Sequence, residues 1–433
     1  MSNRVSAVLR GGFLLVGLFA ASLPTVTAVA QRRNGEDRKK REKRFDKEAS
    51  KRRLKAIRSA LVSQARKGTS SSIGKALRTY NSVERSGEFS DTSLHAIHQS
   101  LVKELRASDG ETVARVAKSV LRKSTSTSFP SQVVVLKAIA RSKGKIAEAT
   151  LVDLFLGAAK HKDRRISTWA VRLFADTRSA SAIDVLIDLL AAEENSGRYF
   201  GDLASVIQGE LYRVLGSIAM GDSYSIKKSW EKSGKKIPKR PNYSVSAGAA
   251  SRGKTVFFGD RLSTRAVFCI DVSGSMKGKV KMGKKGPAAS KVDIVKEELA
   301  KAVGGLTPEN RFNIIAYDGK CSPWRDRGKL LKGTRATVKA GQAYARGLKI
   351  GSGTNIHDAM VAGLGVSGVE TIYLLSDGAP SVGGNADQIR KRVGALNYLR
   401  GVRVVTYGFA GSDAKLMRDL ASSHWGWYRA LNE

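Results

Sequence analysis

From Arg265 onward the chain alternates between short apolar runs and longer stretches with helical spacing, and this alternation restricts the fold more than any other feature. Residues 266–270, 311–317, 370–375 and 402–409 read as strands, and 425–431 as a closing strand. Between them the spacing predicts helices over 290–303, 334–348, 386–399 and 414–422, with another beginning near Ile356. Strands joined through helices lie mostly parallel in a sheet covered on both faces, a doubly wound α/β fold. Ligands of such sheets bind beyond the carboxyl ends of the strands.

Three polar clusters fall at those ends. Asp271, Ser273 and Ser275 follow the first strand as D-x-S-x-S, Thr354 lies in a Gly-Ser-Gly-Thr-Asn loop, and Asp377 stands in Ser-Asp-Gly after the third strand. The set holds two carboxylates and three hydroxyls, with no sulfur or imidazole. Oxygen donors alone suit a hard divalent cation, Mg²⁺ first, with Mn²⁺ or Ca²⁺ also compatible. So few carboxylates leave a coordination position for an oxygen from a ligand. Asp and Ser also cap helices, but capping does not require five such groups on three loops. An ion that only stabilises the fold stays open as an alternative.

This arrangement resembles the metal-ion-dependent adhesion site (MIDAS) of von Willebrand factor type A (VWA) domains. The resemblance covers residues 263–433 and includes all five motif positions in order. It implies that Ser273, Ser275 and Thr354 coordinate the metal directly, and that Asp271 and Asp377 do so directly or through water. It also implies that the ligand supplies a Glu or Asp carboxylate, and that Asp358 supports the loop rather than the ion. One departure stands out: the segment 277–286, with Lys277, Lys279, Lys281, Lys284 and Lys285, is longer and more basic than the family pattern. It reads equally as a lid, as a collar that steers acidic ligands, or as a solvated insertion.

The preceding part is of another kind. Over 58–234 apolar residues recur at helical spacing, as in Val113, Val116, Val120 and Leu121. The pair of amphipathic helices over 163–190 resembles a HEAT-type repeat, so an all-α helical-repeat domain is expected, with an irregular bundle as the alternative. Residues 235–262 are rich in Gly, Ser and Lys and read as a linker, which predicts that the two halves fold separately. Within it, residues 248–255 match the phosphate-loop pattern but lack the strand before and the helix after that such a loop needs.

Residues 1–30 combine Arg4 and Arg10, an apolar run over 13–21 and a small-residue Ala-Val-Ala ending at Ala30, a secretory signal pattern. No other stretch is long and apolar enough to cross a membrane. Residues 31–57 are a charged, mostly basic segment, read as a solvated helical arm. The formal charge of +38 draws anionic partners without specifying them. Cys269 and Cys321 are too few for a disulfide scaffold, and no histidine has partners at metal-ligand spacing.

The resulting expectation is an exported protein, periplasmic, cell-surface or secreted, that binds rather than catalyses and grips an acidic group on a protein partner through a divalent cation. An anionic polymer or envelope surface is a further candidate partner, with nucleic acid ranked behind. The alternative is a basic RNA- or polyanion-binding protein, since Ro-type ribonucleoproteins also pair helical repeats with a VWA domain. No nucleophile–base pair suggests an enzyme.

Overall fold

The computed structural model describes residues 48–433 except 124, 143, 197–201, 240, 244–255, 282–287, 326–327 and 432–433. The signal pattern, most of the basic segment, the phosphate-loop match, Lys284 and Lys285 therefore lie outside the described residues. Residues 1–56 form one unit, whose described part is helical, with Lys51 pairing with Glu48 at 2.8 Å. Residues 57–433 form the second.

The second unit begins with helices α1 (Ser70–Arg85), α2 (Asp91–Ala107), α3 (Gly110–Leu121), α4 (Phe129–Ile139), α5 (Glu148–Ala159), α6 (Arg164–Asp176), α7 (Ala180–Asn195), α8 (Asp202–Leu215) and α9 (Ser223–Lys232). Their starts are written in the sequence. Thr69, Ser90, Asp109, Asp163, Ser179 and Asp222 each accept a hydrogen bond from a first-turn amide, satisfying donors that have no intrahelical acceptor. Apolar stripes such as Val113, Val116 and Val120 on α3 are buried, as is every residue of α4 except the half-buried Lys137. The pair foreseen over 163–190 is α6 and α7.

The α/β half contains β1 (Val256–Phe257), β2 (Asp260–Arg261), β3 (Arg265–Asp271), β4 (Lys279–Lys281), β5 (Ala288–Ser290), β6 (Arg311–Tyr317), β7 (Cys321–Pro323), β8 (Leu331–Lys332), β9 (Thr371–Ser376), β10 (Arg403–Gly408) and β11 (Tyr428–Ala430). Helices α10 (Lys291–Gly304), α11 (Arg335–Arg346), α12 (Ile356–Gly365), α13 (Ala386–Asn397) and α14 (Ala414–Ser423) alternate with them. The main sheet has the order β11-β10-β9-β3-β6-β7, with β8 also paired to β6. Its first five strands are parallel; β7 and β8 run antiparallel. Alternate residues of β3 enter different cores. Phe268 and Ile270 pack with Val295, Leu299 and Val303 of α10, while Val267 and Cys269 pack with Ile356, Ala359 and Met360 of α12.

Two features depart from a simple linker between halves. The hairpin β1–β2 belongs to the α/β core: Phe257 is fully buried, and buried Asp260 accepts from Tyr407 Oη (2.9 Å), Trp427 Nε1 (2.9 Å) and Arg429 (2.5 Å). Second, the helical half packs against the amino ends of β9 and β10. Glu210 of α8, with no exposed surface, pairs with Arg172 of α6 (3.3 Å), Arg213 (2.6 Å) and Arg403 at the start of β10. Burial alone would push the Glu210 carboxyl up, but Arg213, Arg403 and Arg172 outweigh it and hold it down at about 2. Arg164 of α6 binds Glu370, and Trp169 Nε1 donates to the Leu399 carbonyl at 3.0 Å. The change from helices to α/β at 235–262 is thus a change of architecture inside one compact unit.

Candidate functional site

β3 and β9 are neighbours in the sheet, with Ile270 paired to Leu375. Their next residues, Asp271 and Ser376, therefore emerge side by side at the carboxyl edge. Ser376 Oγ donates to Asp271 Oδ2 (2.7 Å), and the Ser273 amide donates to Asp271 Oδ1 (2.8 Å). Asp271 has no exposed surface. Burial is the largest influence on its carboxyl and pushes it above its ordinary value; the two serines oppose this, and the charge of Asp377 adds to it.

The chain then turns so that Ser273 Oγ lies 3.0 Å from Ser275 Oγ, and Ser275 Oγ donates to Asp377 Oδ1 at 2.6 Å. Thr354 reaches the same place from a loop fastened on several sides. Gly351 N donates to Val272 O (2.8 Å), Gly319 N to Ser352 O (2.6 Å) and Asn355 N to Asp318 O (2.7 Å), while Thr354 N donates to Ser381 Oγ (2.9 Å). Gly351 lets the loop approach closely here: a Cβ would lie 1.6 Å from Asp318 Oδ2, so a larger residue would force the Asp318 side chain to shift. A Cβ on Gly378 would meet Thr354 Oγ1 at 3.5 Å and Ser275 Oγ at 3.8 Å, so the missing side chain keeps the space between these hydroxyls clear.

All five residues expected from the sequence thus converge. Oxygen groups gathered on three loops around a space kept clear by glycine match the donor chemistry of a hard divalent cation. No group of three or more His, Cys, Asp or Glu forms a metal site among the described residues, so any ion here would depend on hydroxyls as well as carboxylates.

Sequence reasoning missed Lys291, the first residue of α10. Its ammonium donates to Asp377 Oδ2 at 2.7 Å and to the Ala410 carbonyl at 3.2 Å, and its side chain is only 12% exposed. The one available signal was its place just after the Ser290 cap, where the helix start aims it back at the strand ends. Asp358 accepts from Asn355 Nδ2 (2.8 Å), in keeping with a loop-supporting role, and also pairs with His357 Nδ1 (2.8 Å). His357 therefore has an acid partner that its sequence context did not reveal. Lys277, Lys279 and Lys281 are exposed; Lys277 ends a 3-10 turn, and the other two lie on β4, paired with β5 beside the site. No disulfide joins Cys269 and Cys321; the Cys269 thiol donates to the Ala359 carbonyl at 3.5 Å.

No protein-family model matches the chain. Inter-alpha-trypsin inhibitor heavy chain H4 of Bos taurus is 29% identical over 194 residues, 41% of this chain and 20% of that protein. Its Homo sapiens namesake is 31% identical over 129 residues, 27% and 12% of the two chains. Human von Willebrand factor A domain-containing protein 3B is 31% identical over 130 residues, 30% and 9%. The matched parts are thus a fifth or less of these curated relatives. Among solved structures, a von Willebrand factor type A protein from Catenulispora acidiphila aligns over 39% of this chain and 38% of its own, with 20% identity and a TM-score of 0.33. An aerotolerance-related membrane protein from Bacteroides fragilis aligns over 39% and 91%, with 15% identity and a TM-score of 0.31.

Proposed function

We propose that the α/β half, a VWA domain joined to a helical region, is a metal-dependent protein-binding module. Asp271, Ser273, Ser275, Thr354 and Asp377 hold a divalent cation, Mg²⁺ first, and the partner offers an acidic side chain. The observation that carries this reading is the convergence of all five oxygen groups at one strand edge, with two carboxylates among them. A bound Mg²⁺ supplies a Lewis-acidic position for a carboxylate oxygen. The chain's own residues do the rest. Ser376 orients Asp271, the loop fastened to Val272 and Asp318 presents Thr354, and Gly378 leaves room for the incoming group. Lys279 and Lys281 on their hairpin speed the approach of acidic partners more than they hold them.

In this reading the protein is exported and binds rather than catalyses, with the helical half as its scaffold. No helix among the described residues is long and apolar enough to cross a membrane. The second reading, a polyanion binder held by Lys and Arg, draws on the charge of +38 and responds differently to conditions. Capture of partners from envelope extract on the immobilised chain tests both. Metal-bridged binding is lost with EDTA, restored by Mg²⁺ or Mn²⁺, and abolished by Asp271→Ala. Capture that ignores EDTA and Asp271→Ala but collapses with rising salt assigns the chain to polyanions instead.

A further inference from the structure

A second candidate site lies at the other end of the α/β half, where α13 and α14 finish against the helical region. A cavity of about 500 Å³ opens there, within the usual range of small-ligand sites. The helical half supplies Lys103 and Arg106 from α2, Lys137 from α4 and Arg141 just beyond it; the α/β half supplies Arg390. No carboxylate lines the cavity among the described residues, although acids stand to bases as one to two in the whole chain. Arg390 is held by Asp419 at 2.9 Å, but Lys103, Arg106 and Arg141 have no ion-pair partner among the described residues.

Two buried groups make this more than a basic surface. Lys137 is half-buried with no carboxylate beside it, its ammonium resting on the Trp169 face (4.5 Å to the ring centre) and donating to the Tyr398 carbonyl (2.8 Å). His98 is 1% exposed; its Nδ1 meets Tyr80 Oη at 2.9 Å, while Nε2 has no partner. His95, stacked on Tyr398, and His424 join them, so three of the chain's five histidines border one cavity. A cation withdrawn from water and a buried ring nitrogen both carry a desolvation penalty that a bound anion with acceptor oxygens relieves.

We propose that this cavity binds a compact polyanion, a small molecule carrying two or more phosphate or sulfate groups. Its charged oxygens meet Lys103, Arg106, Arg141 and Lys137, and its body rests against Trp169 and Tyr398. The site shares no residue with the metal centre, so binding there does not depend on the reading of that centre.

The test uses the full chain, calorimetry and two probes, inositol hexakisphosphate and sucrose octasulfate, at 150 mM salt. One-to-one binding is expected, and the stronger probe distinguishes a phosphate ligand from a sulfate one. The triple variant Lys103→Ala, Arg106→Ala, Arg141→Ala alters exposed positions, so folding is retained, and affinity falls about a hundredfold or more for the loss of three charged hydrogen-bond donors. Removing equal charge elsewhere, at Lys277, Lys279 and Lys281, changes affinity less than about threefold, since screening weakens distant charges. Equal loss in both triple variants, binding of several probe molecules per chain, or no binding of either probe overturns the proposal. Capture of long polyphosphate in place of both compact probes also overturns it, in favour of a polymer.

Discussion

Lys291 places a fixed positive charge on one of the two carboxylates of the candidate metal centre. A divalent cation bound beside Asp377 must share that carboxylate with the ammonium or displace it, so Lys291 opposes cation binding while holding the loop when no cation is present. Replacing Lys291 with Met, which keeps the apolar stem, is expected to tighten Mg²⁺ binding about tenfold, an effect of about 1.4 kcal/mol. Calorimetric titration of Mg²⁺ or Mn²⁺ into both proteins checks this; equal affinity would show that the lysine swings away at no cost. The five oxygen groups of the candidate centre were legible because each belongs to a short motif at a strand end and the set resembles a known family pattern, although Ser275 and Asp377 lie 102 residues apart. Lys291 belongs to no such motif and meets Asp377 only in the fold.

At the level of elements, the buried strands were readable almost to the residue. β6 occupies 311–317 as expected, and β3 and β9 end within one residue of their apolar runs. Both faces of these strands are covered, so their interiors are almost continuously apolar, with buried Asn313 of β6 the exception, and they end sharply. The short β7 and β8, the hairpin β4–β5 and the place of β1–β2 in the core escaped because each is fixed by a distant partner rather than by a local pattern. The same applies to Glu210. In α8 it looks like any helix-surface acid, yet it meets three arginines from α6, α8 and β10. Glu210→Gln leaves those arginines without their shared counter-charge, and unfolding by urea is expected to show a loss of about 3–5 kcal/mol. A loss below about 1 kcal/mol would mean that the arginines find other partners. Because the network spans both halves, far-UV circular dichroism and tryptophan fluorescence should report a single transition.

Across the whole molecule, the joint between the halves contains ionisable groups whose charged forms burial disfavours. Burial pushes Lys137 down to about 7, with Arg141 adding to the effect, and pushes His95 and His424 down to about 4. The unfolded chain protonates Lys137 near 10.5. Between about 10.5 and 7 the unfolded state therefore binds more protons, and stability falls as pH falls through that window. Measured against Lys137→Met, the wild type is expected to lose relative stability from pH 10 to pH 7 and to hold a constant difference below that; a difference independent of pH would show that Lys137 remains charged throughout. The position of the joint also has a mechanical consequence. The candidate partner site crowns the carboxyl ends of β3 and β9, while the helical half is fastened to the amino ends of β9 and β10 through Glu370 and Arg403. A pull between a held partner and an anchored helical half would run lengthwise along the parallel strands. Their lateral hydrogen bonds would then be loaded together in shear rather than peeled apart one at a time.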